Sequence, residues 1–331
     1  MIDVHYDLLS IAYVAYLKND YSYLEKISKY FNDNNVVGVI ANLYFMSEEE
    51  MVEELHINYY QENVSVLEMF KKAKEILDIY LTDVDILYSI EGCDFIENES
   101  ELEELYEAGL DCIVLTWNTK SKYASGTRSD QGLTSEGKKL LLKAINLGMG
   151  IDLSHANENS FDDMIDVISE QKEFGKDIVV YASHSNSREV CPESRNLYDH
   201  QLEMIKKVDG SVGVFLHRNF VVGRKFKNIV SQREKEIKVL EHIRHVKSIV
   251  GDDNIMLSTD DMDFCKDVDS EYGEVAIYDY DKVASCVSLL LSEEYSYLDI
   301  NKIMVDNAKK NIFDKLKNKR RGVLDDRYKI N

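Results

Sequence analysis

Gly150-Ile-Asp-Leu-Ser-His155 is the most informative stretch of the chain, because a short apolar, β-rich run ends there in a histidine. Ile178-Val-Val-Tyr-Ala-Ser-His184 repeats this arrangement further along the chain. In a closed parallel barrel the carboxyl ends of all strands meet at one face, where active sites gather. We therefore expect the two histidines to lie together at that face of a barrel.

Eight apolar, β-rich segments are distributed over the sequence. They are Ile2–Val4, Val36–Leu43, Val84–Ile90, Cys112–Leu115, Gly150–Leu153, Ile178–Ala182, Val212–Leu216 and Ile255–Leu257. Stretches with helical spacing of apolar residues separate most of them, for example Leu102–Leu110, Leu140–Leu147 and Ile237–Ile249. Strands that alternate with helices predict a parallel sheet, and a count of eight favours an α/β fold of the TIM-like (β/α)8 barrel type.

The remaining segments are predicted to be additions to a single barrel domain that spans residues 1–331. They are a long helical region (Glu48–Leu81), a Ser-, Gly- and Thr-rich loop (Lys120–Gly132), a polar loop entering a helix (Val221–Glu236) and C-terminal helices from about Ser292. The chain has 331 residues and one proline. Barrels of this size commonly fold as one domain.

Composition restricts the classes of partner. Acidic residues outnumber basic ones by 61 to 39, which gives a formal net charge of −22, so nucleic acids and anionic membranes would be repelled. The basic run Lys317–Arg321 is predicted to be a solvated helix end. The five cysteines show no C-x-x-C spacing, so neither a disulfide framework nor a zinc finger is indicated. With no apolar run of about 18 residues, we expect a cytoplasmic protein.

Five side chains of metal-binding type end or follow the apolar segments. They are His5, Asp7, Glu91, His155 and His184. Taken singly, an H-x-D pair arises by chance, a strand-end carboxylate is usually solvated, and a strand-end histidine is usually structural. Together, imidazole and carboxylate groups suit zinc and similar divalent ions. Three histidines and two carboxylates are enough for two ions, roughly 3.5–4 Å apart, that share a bridging carboxylate.

Asp260 follows the eighth segment, with Asp261 and Asp263 close behind. A carboxylate at that place can move a proton between a bridging water and a leaving group. Considered alone, an Asp-Asp-Met-Asp turn is more typical of a solvated loop.

A series of motifs runs through nearly the whole chain in a specific order. They are Asp3–Asp7, Ser89–Gly92, Leu115–Asn118, Gly132–Thr134, Leu147–His155, Ala182–Ser185, Ser194–Asp199, Leu240–Ile243, Ser258–Asp260 and Asp306–Asn311. In this combination, with D-L-S-H, S-H-S and R-N-L-x-D in order, the sequence resembles the renal (membrane) dipeptidase family of zinc metallopeptidases. That family has an amidohydrolase-type barrel.

The resemblance implies two Zn2+ ions per chain. One would be bound by His5 and Asp7, the other by His155 and His184, and Glu91 would bridge both as part of the catalytic centre. The implied reaction is the attack of a bridging hydroxide on the peptide bond of a dipeptide.

Two further roles follow from the resemblance. Arg195 would hold the free carboxylate of the substrate, which suits a guanidinium fork. Asp260 would be the catalytic acid and base. The resemblance also suggests a homodimer.

Some positions depart from the family pattern. Trp117 stands where mammalian members have a histidine that stabilises the oxyanion, and Trp-Asn at this point is typical of bacterial members. We predict that Trp117 and Asn118 contact the substrate. Ser258–Phe264 replaces the usual Gly-x-Asp-Phe-Asp-Gly. Cys93 replaces a second glycine and is predicted to be a small buried filler rather than a stray ligand.

The other histidines carry less information. His242 is predicted to be a structural hydrogen bonder. The other four are expected to be surface or packing residues: His56, His200, His217 and His245. Of these, only His217, just after the seventh segment, keeps substrate contact as an alternative.

Two alternatives to a zinc dipeptidase stay open. A metal-dependent hydrolase of other small amides or lactones would be favoured if Arg195 pointed away from the metal ligands. A non-catalytic metal- or ligand-binding relative would be favoured if Asp260→Asn had no effect on turnover.

Overall fold

The computed structural model describes residues 1–44, 64–226, 229–261 and 276–328. The first part of the predicted helical region Glu48–Leu81 lies outside the described residues. The same holds for His56, Met262, Asp263 and Cys265.

Eight parallel strands form one sheet in chain order. They are β1 (Ile2–Tyr6), β2 (Gly38–Tyr44), β3 (Asp85–Glu91), β4 (Cys112–Val114), β5 (Gly150–Asp152), β6 (Val180–Ala182), β7 (Ser211–Phe215) and β8 (Ile255–Ser258). Each predicted segment is a strand, with ends shifted by only a residue or two. The Asp260 N–H donates to the His5 carbonyl at 3.1 Å and joins the end of β8 to β1. The predicted (β/α)8 barrel is confirmed, and it is nearly closed.

Helices separate the strands and cover the barrel. They are α1 (Leu8–Lys18), α2 (Ser22–Asp33), α3 (Val66–Tyr80), α4 (Glu99–Ala108), α5 (Ser135–Leu147), α6 (Glu158–Glu173), α7 (Asp199–Lys207), α8 (Gln232–Val250), α9 (Val283–Leu291), α10 (Tyr297–Asn301) and α11 (Asp314–Tyr328). Capping boxes start α3 at Ser65 and α8 at Ser231. In each, the serine hydroxyl accepts the backbone N–H of a glutamate three residues later, and the glutamate carboxylate accepts the backbone N–H of the serine. A π-helical turn, Asn219–Gly223, follows β7.

The C-terminal helices cover the end of the barrel opposite the strand carboxyl ends. Ile312, Phe313 and Leu316 share a buried cluster with residues from the first halves of several strands, including Ile2 and Ile40. This packing leaves the other end of the barrel available for a site.

The basic run beside that cluster makes specific ion pairs with aspartates close to the strand starts. Lys319 lies 3.1 Å from Asp177, Arg320 lies 3.1 Å from Asp111, and Lys317 pairs with Asp85. The predicted solvated helix end is therefore wrong in part. These cations help to hold α11 against the barrel.

Candidate active site

The ends of four strands bring the five predicted ligands together at the carboxyl face. All five side chains are buried: His5, Asp7, Glu91, His155 and His184. His184 is fully inaccessible to solvent. Glu91 is the last residue of β3. His155 and His184 follow β5 and β6 closely, while His5 and Asp7 come from the end of β1. Residues far apart in sequence thus form one cluster.

Glu91 lies at the centre of this cluster. Its Oε2 atom is 3.2 Å from His5 Nε2. Its Oε1 atom is 2.7 Å from His155 Nε2 and 3.5 Å from His184 Nε2. The two carboxylate oxygens therefore face different histidines, as a bridging carboxylate requires.

Two overlapping groups of ligand atoms result, and both contain Glu91. One is His5, Asp7 and Glu91; the other is Glu91, His155 and His184, and within each group the ligand atoms lie within 4.8 Å of one another. A third group joins His5 and His184 to Asp260. Nitrogen and carboxylate oxygen in these numbers fit a pair of zinc-type ions.

Several ligand atoms are buried and lie close to one another, yet among the described residues they form no hydrogen bond of acceptable geometry. These atoms are His5 Nε2, Asp7 Oδ1, Glu91 Oε1 and His184 Nε2. A buried polar atom that lacks a partner costs roughly 1–3 kcal/mol. The unpaired atoms all face the same small space, and a divalent cation bound there would pair with them. The residues therefore fit the metal pair that the resemblance implies.

Electrostatics favour a cation in this space. Burial lowers the pKa of His5, but Glu91, Asp260 and Asp7 outweigh it and raise the value to about 10. Burial raises the pKa of Glu91, but His155 and His5 outweigh it and hold the value well below its usual range. Positive charge at the cluster is thus stabilised by the carboxylates, and bound cations would supply more of it.

Asn118 holds the ring of His155. Its Oδ1 atom lies 3.1 Å from His155 Nδ1, on the side of the ring away from Glu91. His155 itself has a positive φ of 66°. A non-glycine residue in this region is uncommon, so the backbone is turned to direct the ring into the cluster.

Asp260 also has a positive φ, of 45°. Its Oδ1 atom is 3.7 Å from His5 Nε2, and its side chain is 18% exposed. Burial is the largest influence on this carboxyl and, with Glu91, raises its pKa to about 6, while His5 and Arg195 oppose the rise. A group that titrates near neutrality and borders the cluster is suited to proton transfer.

Arg195 lies against the same face. Its Nη2 donates to the His184 carbonyl at 3.2 Å, and the residue is 5% exposed. Burial lowers its pKa to about 10, although Glu91 and Asp260 oppose this. Because burial disfavours its positive charge, this guanidinium is a favourable partner for a substrate carboxylate.

Aromatic residues border the cluster. The ring of Trp117 is half-buried, with its centroid 6.1 Å from that of His155 and 6.3 Å from that of Tyr44. His217 stacks obliquely on Phe215 and Phe220, at 5.1 and 4.8 Å. His217 is thus buried against other rings, as expected of a packing residue, while substrate contact by Trp117 and Asn118 stays a prediction.

Three residues that are not candidate ligands have the surroundings that the sequence predicts. The Cys93 thiol is buried and donates to the Val114 carbonyl at 3.3 Å. His242 is fully buried; its Nδ1 accepts the Ser187 N–H, and its Nε2 lies 3.0 Å from the Val221 carbonyl. His245 lies 2.8 Å from Asp199 near the surface.

Sequence reasoning missed the polar groups behind the ligands. Asp3 is buried and accepts hydrogen bonds from the Thr259 N–H at 3.0 Å and the His5 N–H at 3.3 Å. It thus ties the first ligand strand to the segment that carries Asp260. Its place in the motif Asp3-Val-His was the available signal.

Comparisons with known proteins give the family to which the chain is similar. The family model for membrane dipeptidase (peptidase family M19) matches residues 45–321. The "uncharacterized protein in PQQ-III 3′ region" of Acinetobacter calcoaceticus is 33% identical over 50% of this chain and 52% of its own length. Dipeptidase 3 of Mus musculus is 30% identical over 46% of this chain and 30% of its own length. The chain therefore spans about half, or less, of the length of the curated relatives it matches.

A solved structure shares the fold. The metallopeptidase from Rhodobacter sphaeroides, crystallised with a phosphinate mimic of the dipeptide L-Ala-D-Ala, aligns with a TM-score of 0.70 at 19% identity. The alignment covers 96% of this chain and 98% of that one. Across the described ranges, no helix combines the length and apolar character needed to cross a membrane.

Proposed function

The chain belongs to the membrane dipeptidase family, peptidase family M19, and we propose that it is a dipeptidase that uses two zinc ions. One would be held by His5, Asp7 and Glu91, and the other by Glu91, His155 and His184. The observation that carries this proposal is the position of Glu91, whose two oxygens face histidines of different groups.

The chain's own residues divide the remaining work. When bound, the metal pair would supply a nucleophile at neutral pH and polarise the scissile carbonyl. Arg195 binds the free carboxylate of the dipeptide and thereby fixes the position of the peptide bond. Asp260 accepts at its carboxylate a proton from the attacking water and delivers it to the departing amine. Trp117 and Asn118 border the substrate.

The position of Arg195 also favours one class of substrate over another. It lies beside His184 rather than pointing away from the ligands. That position favours a small substrate with a carboxylate near the scissile amide over amides or lactones that lack one. Cytoplasmic location and a homodimer are the proposed setting for this activity.

Asp260→Asn tests the catalytic assignment. Dipeptide hydrolysis would be measured for zinc-loaded wild type and variant, with Asp130→Asn as the matched change at an exposed aspartate. We expect Asp260→Asn to keep both zinc ions and lose about 10²–10⁴-fold in turnover, while Asp130→Asn keeps its activity. Unchanged turnover in Asp260→Asn would remove this residue from the mechanism, whereas a zinc-loaded wild type without any turnover would favour a non-catalytic relative.

A further inference from the structure

The hydroxyl of Ser183 lies between two of the candidate ligands. Ser183 Oγ is 2.7 Å from His184 Nδ1 and 3.2 Å from His5 Nδ1, and the serine is fully buried. The ring centroids of the two histidines are only 3.8 Å apart. In both rings the other nitrogen, Nε2, faces Glu91. One side chain therefore supports both rings from behind.

These two histidines belong to different metal sites in the proposed assignment. Two of the three groups of ligand atoms separate them, His5 with Asp7 and Glu91 and His184 with His155 and Glu91, while the third, with Asp260, contains both. His155 has a support of its own, since its Nδ1 faces Asn118 at 3.1 Å. Ser183 is thus shared by the two sites, and Asn118 serves one of them.

The tautomer of each histidine decides which atom donates in these hydrogen bonds. A neutral imidazole that binds a cation through Nε2 carries its proton on Nδ1, which then donates. The Nδ1–H groups of His5 and His184 would both donate to Ser183 Oγ, which has two acceptor lone pairs. The hydroxyl proton of Ser183 must then be given to another acceptor.

Ser154 Oγ is in reach of that proton, since it lies 3.4 Å from Ser183 Oγ. Asp152 holds the backbone of both serines, because its Oδ1 atom accepts the N–H groups of Ser183 at 3.0 Å and Ser154 at 2.9 Å. Burial raises the pKa of Asp152, and hydrogen bonds from Ser183 and Ser154 oppose that rise. Ser154 Oγ accepts the His184 N–H at 3.2 Å. A buried carboxylate thus anchors the serine and the backbone around it.

The backbone of Ser183 has a fixed place as well. A Cβ atom added to Gly213 on β7 would lie 1.9 Å from the Ser183 carbonyl oxygen, so only glycine permits this approach of the strands. Ser183 is consequently held from both sides.

We propose that Ser183, anchored by Asp152, is a positioning residue shared by both metal sites, so that its hydroxyl strengthens the binding of both ions. The inference rests on the proposed two-metal function. Groups of this kind behind metal ligands commonly change affinity by about 10–100-fold.

Zinc titration of the metal-free protein by calorimetry with a competing chelator tests the inference. We expect Ser183→Ala to raise both dissociation constants by about 10–100-fold. Asn118→Ala is the matched control at the support of His155, and it should raise only one. A change in neither constant, or in only one, for Ser183→Ala would overturn the shared role. Asp152→Asn, which keeps the shape and removes the charge, should also weaken both sites and serves if Ser183→Ala does not fold.

A measurement on the wild type needs no variant. In the zinc-loaded protein, 15N NMR of the histidine rings should show His5 and His184 both protonated at Nδ1 and metal-bound at Nε2. Metal bonding through Nδ1 in either ring would overturn the inference. If the wild type binds no zinc, the proposed function fails; if it binds two ions and Ser183→Ala binds them equally well, only this inference fails.

Discussion

Replacing Arg195 by methionine should remove the preference for substrates with a free carboxylate. Methionine has a similar length and no charge. The natural comparison is between a dipeptide and the same dipeptide with its carboxyl group converted to an amide. Only the first substrate offers a charged partner to the guanidinium.

The size of the effect follows from the burial of Arg195. Burial lowers the pKa of this guanidinium to about 10, from a value near 12.5 in water. Because one pKa unit corresponds to about 1.4 kcal/mol, burial disfavours the cation by roughly 3 kcal/mol. A substrate carboxylate that pairs with it would offset about that amount, which corresponds to roughly 10²-fold in kcat/KM.

The assay measures kcat/KM of zinc-loaded enzyme on both substrates. We expect Arg195→Met to lose about 10²-fold on the dipeptide and little on the amide. Zinc content is measured in parallel, because Arg195 also donates to the His184 carbonyl. Arg233→Met, at an exposed arginine paired with Glu293, is the matched control and should change neither value. Equal losses on the two substrates would refute the carboxylate role.

Three more outcomes are expected. Burial lowers the pKa of His242 to about 4, so its contribution to stability is complete above pH 6.5 and is lost as the pH falls toward 4. When the pH is lowered from 7 to 5, the free energy of urea unfolding of the metal-free protein should fall by roughly 2 kcal/mol more for the wild type than for His242→Gln. Phe313→Ala should lower the unfolding free energy by about 3–5 kcal/mol, since Phe313 is fully buried, whereas exposed Lys310→Ala should change it by less than about 0.5 kcal/mol. Free zinc at about 100 times its dissociation constant should stabilise the protein by about 2.7 kcal/mol per site, and urea curves that are unchanged by zinc would contradict the metal site.

The barrel and the clustering of its candidate ligands were predictable because strand ends carry their own signal. Gly150–Leu153 and Ile178–Ala182 are short β-rich runs that are each followed by Ser-His, and both histidines must lie at one face once the strands are parallel. The family motifs then distinguished Glu91 from an ordinary strand-end carboxylate. Neither argument required knowledge of which residues touch.

Groups that depend on long-range contact could not be predicted in this way. Ser183 meets His5 across 178 positions of sequence, and no periodicity relates the two. The basic run near Lys317 looks like any solvated helix end until the barrel brings Asp85 and Asp111 to it. Ser183 is fully buried, whereas the ion pairs of the basic run are partly exposed and contribute less each.

The dependence of turnover on bound zinc tests whether this protein is a two-zinc dipeptidase. Chelator-treated protein would be titrated with zinc, and the release of amino acids from dipeptides would be followed against the zinc added per chain. The proposal predicts no turnover without metal and a plateau at two ions per chain. Hydrolysis that persists without metal, or two bound ions with no dipeptide cleaved, would contradict it.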